Sequence, residues 1–183
     1  CTAHTRAISS DFIMRDGSRR VAIGITAALS LFCRTPEVIG ASMGKNVDWP
    51  IYLGDKERSH YSHLNQINRS NVARLKVAWT YETGDKGEYQ ANNLIIAGTL
   101  FTASPTRKVI ALDAATGREI WKWDPKSERA GPVGGRQRGL VYWENEDGGE
   151  QRLFTGAGNH LYALDPKTGQ TIRSFGENGS IHL

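Results

Sequence analysis

The sequence predicts an all-β fold: a β-propeller of four-stranded blades, of which about the first two are present. Three observations lead there. From Lys76 onward, short β-type runs alternate with turn signals, and no helical pattern of ten or more residues interrupts them. The stretch VIALDAATGREIWKW (109–123) returns as LYALDPKTGQTIRSF (161–175), with Asp113 and Asp165 set 52 positions apart and Gly117 and Gly169 spaced identically. A four-stranded unit of roughly 40–50 residues cannot bury both faces alone and does so by stacking on copies of itself; among β repeats that length fits a propeller blade.

Taken in order, residues 1–13 are set aside as an upstream extension, with Met14 as the expected start. Residues 14–42 have the pattern of a signal peptide. Arg19 and Arg20 precede an apolar run from Val21 to Phe32, and Gly40, Ala41 and Ser42 supply small residues for cleavage. The run falls short of the roughly 20 residues that a membrane span needs. The exported part is therefore expected to begin near Met43 and to work in the periplasm. From Asp48 to Arg74 the chain is polar with interspersed aromatics, and Asn68 or Ser70 is expected to cap a short helix through Leu75.

The strand runs are 76–83, 93–98, 99–104, 108–113, 119–124, 138–144, 152–157, 160–165 and 171–175. The first, KVAWTYET, is expected to be the outermost strand of a preceding blade, with Val77, Trp79 and Tyr81 on one face and Trp79 placed as Trp121 is in the next copy. The Asp-Ala-Ala-Thr-Gly and Asp-Pro-Lys-Thr-Gly corners are expected to join the third and fourth strands of each blade. Asp accepts bonds from the backbone N–H groups that follow it, and Gly takes the φ > 0 conformation that ends the turn. Turn formation, not catalysis, thus accounts for Asp113 and Asp165. Two blades are expected to leave broad apolar faces bare on both sides.

The chain of 183 residues carries a net charge of +4 and a pI near 9.2, with its bases scattered. That is no nucleic-acid footprint. Its two cysteines, Cys1 and Cys33, both lie before residue 42, so no disulfide, thiolate metal site or cysteine nucleophile is available after it. His60 and His63 stand three apart without a third ligand at convincing spacing and read as a solvated loop.

The stretch DWPIYLGDKERSHYSHLNQINRSNVARLKVAWTYETGD, together with VIALDAATGREIWKWDP, RGLVYWE and LYALDPKTGQTIRSFGENGSIHL, resembles the start of the pyrroloquinoline-quinone (PQQ)-dependent dehydrogenases. The likeness covers residues 48–183. It implies an eight-bladed propeller holding the quinone over its central axis, with a calcium ion, or in some members a lanthanide, beside it. It also implies oxidation of an alcohol group by hydride transfer to the quinone, aided by an aspartate base. That base and the metal ligands are expected in later blades, so no catalytic or metal-binding residue is assigned here and the fragment is expected to be inactive alone. A respiratory-chain electron acceptor and the remaining blades are the implied partners.

Alcohol-oxidising members carry two adjacent cysteines where this chain has PKSERAGPVGGRQRG. The resemblance is therefore to the glucose, quinate and shikimate branch, which oxidises sugars or polyols. Matched residue by residue, Arg138 resembles the arginine that pairs with a quinone carboxylate, by two charge-assisted bonds from its guanidinium fork. Gln90 stands where many members place a cofactor-contacting glutamate. Thr155 lies next to the position of a threonine that bonds the quinone, the match itself falling on Gly156. Trp79, Trp121 and Trp123 resemble the tryptophans that dock blades together, and Arg173 replaces one in the second copy. The alternative reading is a non-catalytic propeller scaffold of the outer-membrane assembly type. Such scaffolds usually follow a lipoprotein signal, and bulky Phe32 before Cys33 suits lipid attachment poorly.

Overall fold

A computed structural model describes residues 47–129, 133 and 138–183, all within the unit that runs from Ala41 to Leu183. The expected upstream extension and signal peptide lie outside the described residues.

Two four-stranded antiparallel sheets follow one another along the chain. The first has the order β1 (Leu94–Ile96), β2 (Thr99–Ala103), β3 (Val109–Asp113), β4 (Glu119–Trp123). The second runs β5 (Val141–Glu144), β6 (Gln151–Ala157), β7 (His160–Leu164), β8 (Ser180–His182). Sequential strands pair throughout, giving two up-and-down blades. Ala97 and Gly98 turn the β1–β2 hairpin with φ of 48° and 76°, as a two-residue hairpin turn requires. The Asp48 carboxylate accepts from the Ala97 N–H at 3.1 Å and fastens the incoming chain to that turn.

The core lies between the sheets. Phe101, Val109, Ala111 and Trp123 from the first meet Leu153, Ala157, Tyr162 and Leu164 from the second, and Leu94 and Leu140 close the cluster. The Trp123 and Tyr162 rings meet across the boundary at 5.1 Å between centroids, tilted by 59°. Their fully buried side chains each contribute on the order of 1.5–3 kcal/mol by leaving water. Polar bridges cross the same boundary: Arg107 donates to the Gly156 carbonyl at 2.8 Å, and Trp121 Nε1 to the Pro166 carbonyl at 2.9 Å.

Both corners take the expected turn geometry, although only the first leads directly into the fourth strand of its sheet. Gly117 and Gly169 have φ of +73° and +71°, and each donates its N–H to the carbonyl of the corner aspartate at 2.8 Å. Asp113 Oδ1 accepts from the N–H groups of Ala115 and Thr116 and from the Thr116 hydroxyl. A tryptophan lies on each glycine: a Cβ at Gly117 would stand 2.5 Å from the Trp79 ring, and one at Gly169 2.5 Å from the Trp121 ring. Trp79 Nε1 donates to the Ala114 carbonyl as Trp121 Nε1 does to that of Pro166; the acceptors stand 52 positions apart, the tryptophans 42.

Three expectations are corrected. Residues 76–83 form no strand; they run as an extended strip against the outer face of the first sheet. Trp79, Tyr81 and Thr83 alternate as half-buried positions, but Val77 is 79% exposed. The strip has no sheet of its own to pair with among the described residues, so only its side chains engage, as when Tyr81 bonds Glu119. The helix through Leu75 shortens to one 3-10 turn, Val72–Arg74; its N-cap is Asn71, whose side chain bonds Asn68 and Gln66 instead of the turn, while the Asn68 side-chain oxygen accepts from Ser70. Residues 171–175 are not the fourth strand of the second sheet. Thr171 bridges Leu164, the chain then leaves the sheet, and it returns as β8 against β7. Gly176, Asn178 and Gly179, all with positive φ, make the return possible.

The two outer faces also differ. The strip covers the first sheet, where Ile110 and Leu112 are buried. Register places Val141, Trp143, Phe154 and Ile181 on the outer face of the second sheet, and Val141 is 63% exposed.

Candidate functional site

The site grows from the lead-in segments of the first edge strand of each sheet, β1 and β5. The chain approaching β1 is fastened at both flanks. Upstream, the Asp85 carboxylate accepts from Lys108 Nζ at 2.7 Å and from the Thr106 hydroxyl at 2.6 Å, both in the β2–β3 hairpin. Burial alone would raise this carboxyl, but the bonds from Lys108, Ser104 and Thr106 outweigh it and bring it to about 2. Downstream, the hydroxyls of Tyr89 and Thr102 both bond Asn93 Oδ1 at 2.7 Å.

Between these anchors, Asn92 reaches the other sheet. Its backbone N–H donates to the Arg138 carbonyl at 3.3 Å, and its side-chain amide donates to the same oxygen. Arg138 stands three residues before β5 with its side chain exposed, and its guanidinium has no hydrogen bond or ion pair among the described residues. Gln90, also exposed, lies two residues before Asn92, its amide 3.4 Å from Glu88. Along the chain, Gln90 thus stands two residues from the Asn92–Arg138 contact, with its own side chain turned to Glu88. Thr155 is placed differently: it is 2% exposed, and alternation along β6 puts its side chain with Leu153 and Ala157 on the face packed against the first sheet.

An exposed guanidinium with no partner among the described residues fits a carboxylate-bearing cofactor, since a planar cation can take a carboxylate by two parallel bonds. Thr155 offers no open hydroxyl to such a group. Among the described residues no group of three His, Cys, Asp or Glu side chains could hold a metal ion. His60 and His63 form no such cluster. His160 and His182 pack edge to face at 5.0 Å, and burial with the Arg129 charge keeps the His160 ring below its ordinary pKa.

Comparison with known proteins decides the family. Residues 49–183 match the model of the glucose/ethanol/alcohol dehydrogenase β-propeller domain with PQQ. The chain belongs to the PQQ-dependent dehydrogenase propeller family. It is 34% identical to the dehydrogenase subunit of the quinone alcohol dehydrogenase of Gluconobacter oxydans, over 69% of this chain and 17% of that one. It is 32% identical to quinoprotein glucose dehydrogenase A of Acinetobacter calcoaceticus, over 74% of this chain and 20% of the relative. Among solved structures, the quinohemoprotein alcohol dehydrogenase of Comamonas testosteroni superposes with a TM-score of 0.57 at 30% identity, covering 69% of this chain and 19% of its own. The chain therefore spans about a fifth of the length of these relatives, and the identities to alcohol and glucose dehydrogenases lie too close together to divide the branches.

Sequence reasoning missed Asn92, the Asp85–Lys108 pair and Glu128. Glu128 sits on the one-turn helix α1 (Pro125–Glu128) and accepts from Thr171 at 2.6 Å, Arg173 at 3.0 Å and Trp123 at 3.3 Å. Burial raises its carboxyl, yet these bonds and the Arg173 charge hold it below the usual range. The Arg173 substitution in the repeat was a readable signal for a carboxylate partner; Asn92 carried none, because its partner is a main-chain carbonyl.

Proposed function

We propose that this chain is the amino-terminal portion of a periplasmic PQQ-dependent dehydrogenase that oxidises a sugar, polyol or alcohol and passes the electrons to a respiratory-chain acceptor. The observation that carries the reading is the exposed Arg138 guanidinium, which has no partner among the described residues and stands on a backbone that Asn92 ties to the first blade. Arg138 fixes one quinone carboxylate by charge-assisted bonds, and Gln90 supplies a neutral donor and acceptor beside it. When bound, the quinone supplies the hydride acceptor. A metal ion beside it, calcium or a lanthanide, and the aspartate base come from blades outside these residues. The absence of an adjacent cysteine pair from the interval PKSERAGPVGGRQRG favours a sugar or polyol within this class.

The test is to produce the full-length protein, reconstitute it with PQQ and calcium, and follow dye reduction with a panel of sugars, polyols and alcohols. Turnover with a polyol or sugar is expected. Arg138→Ala should weaken quinone binding roughly tenfold or more, as loss of a charge-assisted bond does. No quinone uptake and no turnover on any substrate would reject the reading in favour of a scaffold.

A further inference from the structure

We propose that Asn92 is a positioning residue for the cofactor: by clamping the Arg138 carbonyl it fixes where the guanidinium stands. This rests on the reading above, in which Arg138 meets a quinone carboxylate. Arg138 belongs to no strand, because β5 begins only at Val141. Leu140 anchors the far side of this lead-in, buried at 6%. On the near side Asn92 supplies both donors to the Arg138 carbonyl.

Asparagine suits the task. A second bond to the carbonyl needs a side-chain donor, which leucine lacks, and an ionised aspartate would offer the side chain only as an acceptor. The donor itself is well held, because Asp85 and Asn93 tie its segment to the first sheet on either side. General cohesion of the sheets does not depend on it, since Arg107, Trp121 and the apolar core already join them. What Asn92 adds is local: it immobilises the backbone from which a long, rotamer-rich side chain reaches out. A fixed base lowers the entropy lost when the guanidinium binds an anion, which is the effect of preorganisation on affinity.

The experiment is a double-mutant cycle on the full-length apoprotein, with the PQQ dissociation constant measured by fluorescence quenching and the melting temperature recorded alongside. Asn92→Leu should raise the dissociation constant about three- to tenfold, the loss of one hydrogen bond's net contribution. In an Arg138→Ala background the same substitution should change it no further. Asn92→Ala, which like leucine keeps the backbone N–H and loses only the side-chain amide, enters the same cycle should the leucine variant not fold. An equal loss in both backgrounds would overturn the proposal and make Asn92 merely structural. So would an unchanged dissociation constant in Asn92→Leu while Arg138→Ala binds poorly, a result that leaves the functional reading standing. Unaltered binding in Arg138→Ala would instead reject the assignment of Arg138 and this inference with it.

Discussion

Gly117 and Gly169 answer two demands at once, a left-handed backbone and a tryptophan ring lying where a Cβ would stand. Alanine at either position should therefore cost more than the conformational penalty of about 1–2 kcal/mol, with overpacking adding about 1–3 kcal/mol. The two parts are separable. In a Trp121→Ala background, Gly169→Ala should lose the steric part and keep the conformational one, which urea unfolding of the single and double variants measures. Asp85 gives a second residue-scale prediction. Its carboxyl is lower in the folded state, about 2 against an ordinary 3.8, so its contribution is complete above the unfolded value and is lost as pH falls from about 3.8 toward about 2. Asp85→Asn should flatten the acid limb of the stability–pH curve across that window. The glycines of the corners were readable in the sequence because φ > 0 has a residue signature. The partners of Asn92 and Asp85 were not, since a main-chain carbonyl and a distant hairpin leave no local pattern.

At the scale of elements, the second blade differs from the first in its fourth strand. In the first sheet, β4 pairs along β3 with one bulge between Ala111 and Leu112. In the second, Ile172 donates to the Ala163 carbonyl, and Gly179 accepts from the Ala163 N–H, so residues 173–178 loop out between two bonds to the same partner. Arg173, which opens the loop, donates to Glu128 and to the Asn178 carbonyl. Glu128→Ala should cost about 1–2 kcal/mol through its lost bonds, read as a lower urea midpoint at unchanged slope. Arg173→Ala should cost less, because its side chain is more than half exposed and its charge is screened. Glu128 is held below the usual carboxylate range, so its share of stability is present at neutral pH and disappears as acid protonates it. Strand positions from β1 to β7 followed from alternation and turn residues. The loop at 173–178 did not, because TIRSF has the composition of a strand, and the glycines that turn it aside come after it.

For the whole molecule, the repeat announced wedges of a ring, and the residues that resemble the family opening are the ones the family match covers. What the sequence did not show is that the two flanks are unequal: the strip around Trp79 and Tyr81 shelters the first sheet, whereas Val141, Trp143 and Ile181 stand open on the second. A segment comprising residues 43–183, made alone, should therefore bind a hydrophobic dye and self-associate through the second sheet. Val141→Lys in that segment should reduce association in sedimentation experiments. In the full-length protein the same change should lower stability, since the face would then be covered by the following blade.

The tryptophan contacts run in a single sense along the chain, Trp79 forward onto Gly117 and Trp121 forward onto Gly169. Every seam of this kind has a plug on one side and a notch on the other, which makes the assembly vectorial rather than mirror-like. Because successive seams share one mate, excising Gly117 to Thr168 as a block would seat Trp79 in the notch at Gly169 with the corner intact. Growth or loss by whole repeats is thus built into the joint itself.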